Sequence, residues 1–248
     1  MKDLLKNNGY ANYKEILISA NMYKIGYRIR SSYIYSKEIT SIEEYFRDIA
    51  EKNDFIENDN ILRNSTYSSM MKRIEKTLDI FLISNNEYIT IKKLRTLGIN
   101  KEDIINFCEK VKEKFEENSY FTLSNVRDLI EIEKLDDFGF DDIFLENIIG
   151  NIENISCLKF SKNKIFSFNT NEIESKKFIL DCIGNKESIF IDELQKEILD
   201  NYGIEIDSYK IKNAIMDTDL YISDMLNKIY QNKNIYYEEV YQNEWWKL

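Results

Sequence analysis

One order of elements occurs twice in the second half of the chain, and it constrains the fold more than composition does. Residues 119 to 168 read SYFTL, a helix from Asn125, DFGFDDIFLENIIGN and CLKFSKNKIFSF. Residues 188 to 237 read SIFID, a helix from Glu193, NYGIEIDSYKIKNAIMD and LNKIYQNKNIYY. Each run opens with the apolar residues of a short strand and closes with apolar residues on both sides of a polar tip, the signature of a β-hairpin. The closing elements align most closely: Phe160, SKNK, Ile165 and Phe166 match Tyr230, QNKN, Ile235 and Tyr236. A helix precedes each run, KEDIINFCEKVKEKF in one case and ESKKFILDCIG in the other.

Helix, strand, helix, turn, helix, hairpin is the order of the winged-helix fold, which residues 101–168 and 174–240 both resemble. The resemblance rests on element order, with no diagnostic motif. Residues 67–114 resemble a third, wingless version, and residues 10–60 a fourth. The expected fold class is mainly α with small β-hairpins, an α+β chain of tandem winged-helix-like units. Its expected divisions are a basic helical region over 1–66, a helix-turn-helix-like region over 67–114, and winged-helix-like units over 101–170 and 171–248, the last with an aromatic tail.

Winged-helix proteins commonly place the third helix in the DNA major groove and the hairpin against the backbone. The resemblance therefore implies that DSYKIKNAIMDT presents Ser208, Lys210, Lys212 and Asn213 to a groove. In the preceding unit the equivalent helix, DDIFLENIIGN, carries Asp141, Asp142 and Glu146 where cations are expected, although its wing offers Lys159, Lys162 and Lys164. Winged helices also serve as protein-interaction modules, a use that an acidic third helix favours.

Charge is divided along the chain. Residues 1–100 hold 16 Lys and Arg against 13 Asp and Glu, and residues 101–248 hold 18 against 31. Only the first part has the sign that a phosphate backbone attracts. There, Ile16, Ala20, Tyr23 and Tyr27 recur at helical spacing over residues 10–36, with Lys24, Arg28 and Arg30 on the flank. That segment reads either as a phosphate-contacting helix or as a core helix with solvated cations. Thr40 or Ser41 ahead of Glu43 and Glu44 predicts a capped helix. Met71, Ile74, Leu78, Phe81 and Leu82 form one helical stripe, and strand EYITI, helix KKLRTLG and helix NKEDIINFCEKVKEKF follow in helix-turn-helix order, with Lys92, Lys93, Arg95 and Lys101 around the turn.

Absent residues exclude much chemistry. The chain has no histidine, which removes Ser-His-Asp and Cys-His machinery and imidazole zinc sites. It has no proline and seven glycines, none of which opens a phosphate-binding GxxxxGK or GxGxxG. The bias toward Ile, Lys, Asn and Tyr matches an AT-rich bacterial genome. Cys108, Cys157 and Cys182 lie among apolar neighbours and read as buried thiols of a reducing compartment, so a cytoplasmic location is expected. The pairs Asp136, Asp137 and Asp141, Asp142, with Asp217 and Asp219, read as loop and cap residues more readily than as cation ligands. Glu174-Ser175-Lys176 has a nuclease-like spacing but opens a helix.

The expectation is a non-enzymatic bacterial protein, regulatory or of a mobile-element or defence system, that binds nucleic acid, with DNA contacts from Lys24, Arg28, Arg30, Lys92, Lys93 and Arg95. Lys162, Lys164, Lys210 and Lys212 assist, and no metal, cofactor or membrane takes part. The alternative is an adaptor or assembly module that binds protein through its acidic half. Ile189, Ile191, Leu194, Ile198, Leu199, Tyr202, Ile204, Ile211, Ile215 and Met216 are expected to form one core, so that residues 174–248 fold alone and bind duplex DNA more weakly than the full chain. The aromatic tail, Tyr236, Tyr237, Val240, Tyr241, Trp245 and Trp246, is expected to pack back on the last hairpin or to dock a partner.

Overall fold

In the computed structural model, which describes residues 19–30, 33–57, 65–84, 87–136, 138–160, 162–169 and 171–244, the chain is an α+β protein with twelve helices and ten strands among those residues. The strands form four antiparallel sheets of two or three strands each. Among the described residues no helix is long and apolar enough to cross a membrane. Contacts divide the chain into two compact units, Met1–Ile104 with Gly139–Asn147, and Ile105–Phe138 with Ile148–Leu248.

In the first unit, the described part of the segment expected as a helix over 10–36 is mostly not helical. Only α1 (Ser19–Lys24) is helix, and Ile16 lies outside the described residues. Gly26 at φ 92° turns the chain, a conformation other residues rarely adopt. The aromatic and branched residues that follow then pair as strands β1 (Tyr27–Arg30) and β2 (Tyr33–Ser36). Tyr33 and Tyr35 are buried while Ile34 and Ser36 are half-buried, a period of two that the helical reading missed. Arg28 and Arg30 thus stand on a strand.

Helix α2 (Ile42–Lys52) starts as its sequence predicts. The Ser41 hydroxyl accepts the Glu44 N–H at 3.0 Å, and the Glu44 carboxylate accepts the Thr40 N–H at 2.6 Å. The Thr40 hydroxyl also donates to that carboxylate and, with the backbone bond, holds the Glu44 carboxyl below its usual range. Stability from this group is present above the ordinary carboxylate pKa and is lost as pH falls through the lowered one. Ser41→Ala is expected to cost about 1 kcal/mol in thermal unfolding, and Glu44→Gln to flatten the acid limb of the first unit's stability profile.

Strand β3 (Phe55–Glu57) is followed by α3 (Ser65–Lys76), β4 (Ile80–Ser84) and β5 (Glu87–Thr90), with β5 between the other two. The single helical stripe expected from Met71 to Leu82 therefore breaks at Lys76. Leu78 takes a left-handed φ of 57°, the Asp79 N–H closes on the Ile74 carbonyl, and Ile80–Ser84 leaves as a strand. A run apolar at every position, such as IFLI, fits a buried helix or a buried strand equally by period; its branched and aromatic residues favour the sheet. Tyr33, Phe46, Tyr67, Met71, Ile74 and Ile80 are among the buried residues of one core cluster. Next come α4 (Ile91–Thr96) and α5 (Lys101–Lys114), the latter with residues in both units.

The remaining elements before the second repeat are α6 (Leu123–Leu129), α7 (Glu133–Asp136), α8 (Asp142–Gly150), β6 (Ile155–Phe160) and β7 (Asn163–Phe168). SYFTL is not a full strand: Phe121 forms a single antiparallel bridge to Phe166. The β6–β7 hairpin is as expected but tighter, because Phe160 pairs with Asn163 and Lys159 with Lys164. The second repeat runs α9 (Ser175–Ile183), β8 (Ser188–Phe190), α10 (Ile191–Tyr202), α11 (Ser208–Ile215), β9 (Tyr221–Ser223), β10 (Lys228–Tyr230) and α12 (Lys233–Glu244). Strand β10 lies between β8 and β9. The expected hairpin around QNKN is thereby corrected: the turn is Asp224–Asn227, and Lys233 onward is helix. Tyr236 packs its ring 4.7 Å from Tyr221 and 5.4 Å from Tyr230, so the start of the tail folds back on the hairpin, while Tyr237 and Tyr241 are exposed. Trp245 and Trp246 lie outside the described residues.

The core of this repeat contains Ile189, Ile191, Leu194, Ile198, Ile204, Ile211 and Ile215 as expected, with Tyr202 packed against it. Leu199 and Met216 do not belong to it; both are exposed. Phe160 and Ile165 of the preceding hairpin do belong, and Tyr120 and Leu158 pack on it. Residues 174–248 alone would lose these four partners, so they are expected to melt well below the second unit of the intact chain, as circular dichroism of the fragment would measure.

The two repeats also meet at helix ends. The Thr122 hydroxyl donates to the Tyr202 carbonyl at 2.7 Å and the Asn125 amide to the Asn201 carbonyl at 2.7 Å. Gly203, at φ 65°, caps α10, and a Cβ there would lie 2.8 Å from the Ser124 Oγ. The Tyr120 hydroxyl, its pKa raised by burial and by its bond to Asp181, donates to that carboxylate at 2.8 Å.

The cysteines are less uniform than expected. Cys108 and Cys182 are half-buried and Cys157 is exposed on β6. Burial pushes the Cys108 thiol up to about 11 and the Cys182 thiol up to about 12. Maleimide labelling followed by mass spectrometry is expected to modify Cys157 first.

Candidate functional site

Thr90, fully buried, begins α4: its hydroxyl accepts the Lys93 N–H and donates to the Asn53 carbonyl at 2.9 Å. This brings the helix's cations onto the Asp54 carboxylate, with Lys92 at 3.2 Å and Lys93 at 3.6 Å. Lys92 also donates to the Lys52 carbonyl, and Lys93 stands 6.0 Å from the Phe55 ring centroid. Arg47 and Lys101 share Asp79, at 3.6 and 2.6 Å. Arg95 is exposed and makes no side-chain bond among the described residues. It edges a recess of about 190 Å³ with Arg47, Lys92, Glu51 and Asp79. Most of the basic residues expected around this turn are therefore already matched to carboxylates. Such exposed pairs contribute little stability, about 1 kcal/mol or less each, but they lower the field that a polyanion would meet.

Farther along the same unit, Lys24 is exposed at the end of α1, and Arg28 donates to the Thr40 carbonyl at 3.3 Å beside the Tyr23 ring. Arg30 ends β1, and its side chain lies outside the described residues.

In the second unit the hairpin β6–β7 places Lys159 directly opposite Lys164, with Lys162 at its tip. Lys159 and Lys162 are exposed and Lys164 is half-buried. Helix α11 differs. Lys212 donates to Asp224 of the β9–β10 turn at 2.6 Å, which ties that turn to the helix and neutralises one of its two lysines. Lys210 is half-buried.

Three large side chains stand in solvent here: Tyr209 at 71% exposure, Met216 at 69% and Met225 at 90%. At about 100° per residue, Tyr209, Lys212, Asn213 and Met216 share the face of α11 turned away from the buried Ile211 and Ile215. Met225, also exposed, follows Asp224 in the turn that Lys212 holds. Asp207, Asp217, Asp219 and Asp224 are all exposed.

No protein-family model and no curated protein matches this sequence.

Sequence reasoning placed the lysines of α11 and missed its apolar residues. The apolar spacing that places Ile211 and Ile215 in the core includes Met216, but a helical projection about Ile211 and Ile215 turns Met216 outward, and it is exposed. A second recess, of about 470 Å³, lies in the second unit between the Phe115 and Phe168 rings, with Lys112, Glu117 and Glu153 at its edge. Among the described residues no cluster of three or more His, Cys, Asp or Glu side chains is arranged to hold a metal ion.

Proposed function

We propose that this chain is a non-enzymatic, cytoplasmic adaptor whose winged-helix-like repeats bind protein, with the outer face of α11 and the β9–β10 turn as the contact. The observation that carries this reading is the exposure of Tyr209 and Met216 on one face of α11, with exposed carboxylates at both ends of the helix, Asp207 at its start and Asp217 and Asp219 after its end. A groove-reading helix presents cations and amides to bases and phosphates; this one presents an aromatic ring and thioethers, and its Lys212 is held by Asp224. Large apolar side chains that remain in solvent on an ordered helix mark interaction surfaces. The order of α9 through β10, with the last strand between the first and the second, supports the winged-helix resemblance. The test is affinity capture from the source cell with the intact chain and with Tyr209→Ser combined with Met216→Ser, each with and without nuclease. Protein retained after nuclease and lost with the double variant is the expected result; recovery that depends on nucleic acid overturns it.

A second reading, DNA binding, draws on the positive balance of residues 1–100, the unmatched Arg95, and the hairpin cations Lys159, Lys162 and Lys164. On that reading duplex DNA binds at about 50 mM salt and weakens steeply as salt rises, in fluorescence anisotropy. Lys162→Glu combined with Arg95→Glu reduces the affinity.

A further inference from the structure

Resting on the adaptor reading, we infer that the α11 face takes a basic, amphipathic segment of a partner protein, one whose apolar residues cover Tyr209 and Met216 and whose Lys or Arg residues meet the carboxylates at the helix ends. Residues 205–225 carry Glu205, Asp207, Asp217, Asp219 and Asp224 against Lys210 and Lys212, and Lys176 adds one further cation, donating to the Asp217 carbonyl at 2.9 Å. All five acids are exposed, and Lys212 is already paired with Asp224. The excess negative charge opposes a nucleic-acid backbone or an anionic membrane at this face. It opposes a second copy as well, because the whole chain has a net charge of −10 and its last 148 residues hold 18 basic against 31 acidic side chains. The charge favours a cationic partner, and the apolar centre gives that partner something to bury. Methionine suits this use, since its flexible thioether adapts to differently shaped apolar anchors. The Lys212–Asp224 pair holds the turn beside the helix before any partner arrives, which reduces the ordering cost of binding.

The probe is a 20-residue helical peptide of leucines on one face and lysines on the other, labelled for fluorescence anisotropy against the intact chain. A twin with glutamine at each lysine position serves as the control. The expected result is saturable binding of the lysine peptide that weakens with salt, at least about five-fold stronger than the twin. Tyr209→Ser with Met216→Ser weakens it about ten-fold, and Asp217→Asn with Asp219→Asn at least about three-fold. All four substituted residues are exposed, so circular dichroism should show both variants melting with the parent. Equal affinity for the two peptides, or affinity that neither variant changes, overturns the inference. Sedimentation showing that the parent self-associates through this face, with the Tyr209 and Met216 variant monomeric, assigns the face to a second copy and overturns it too. If the lysine peptide fails while nuclease-resistant capture persists, the partner chemistry falls and the adaptor reading stands; if both fail, both fall.

Discussion

Phe178→Ala is expected to destabilise the second unit by about 3 to 5 kcal/mol, the range for removing a fully buried aromatic ring. Phe178 has no exposed surface, and three rings meet it edge to face: Tyr120 at 5.2 Å, Tyr202 at 5.3 Å and Phe160 at 5.5 Å. Two of them come from the first repeat and one from the second, so the cavity opens at the seam between the repeats. The measurement is urea unfolding followed by hydrogen exchange, which reads the two units separately. Protection is expected to fall along residues 118–138 and 148–230 together, and to hold in the first unit. Phe178→Leu keeps most of the volume and should cost less than half as much. A cost below about 1 kcal/mol for the alanine variant would show that the rings are not packed as described.

Gly203→Ala is expected to cost about 2 kcal/mol or more, from two separable causes. The left-handed backbone at φ 65° is worth about 1 to 2 kcal/mol against any residue with a Cβ. The new methyl would also sit 2.8 Å from the Ser124 Oγ and 2.9 Å from its Cβ, atoms too close to their own backbone to move aside cheaply. Adding Ser124→Gly removes the contact and leaves the backbone cost, so the double variant should recover part of the loss. Full recovery would mean the dihedral carries no cost; no recovery would mean the contact does not exist. Thermal melts of Gly203→Ala, Ser124→Gly and the double variant decide this, with recovery counted against the cost of Ser124→Gly alone, since a glycine inside α6 carries its own penalty.

Much of the architecture can be read from the residues, and the failures have a common cause. Where a helix is amphipathic and capped, as α2 is by Ser41 and Glu44, both its start and its inner face are legible. Where a run is apolar on every side, as IFLI is, period cannot distinguish strand from helix, and β4 was missed. The final hairpin was misplaced because Tyr230, QNKN, Ile235 and Tyr236 imitate the earlier hairpin in sequence. What decides their conformation is non-local: β10 pairs with β8, forty residues earlier, and Tyr236 covers Tyr221 and Tyr230 as part of a helix. The candidate surface was half legible. Charge located the acidic residues, but a count of lysines gives no sign that Lys212 is matched to Asp224, because that pairing depends on a turn twelve residues away.

The end of α10 bears on how such a chain can be rearranged. The last carbonyls of a helix have no partner within it; here those of Asn201 and Tyr202 are completed by Asn125 and Thr122 of the other repeat. A segment whose helix ends are completed within itself can be deleted or moved alone. Where residues 122–125 supply the donors for the end of α10, the two segments can be moved only together.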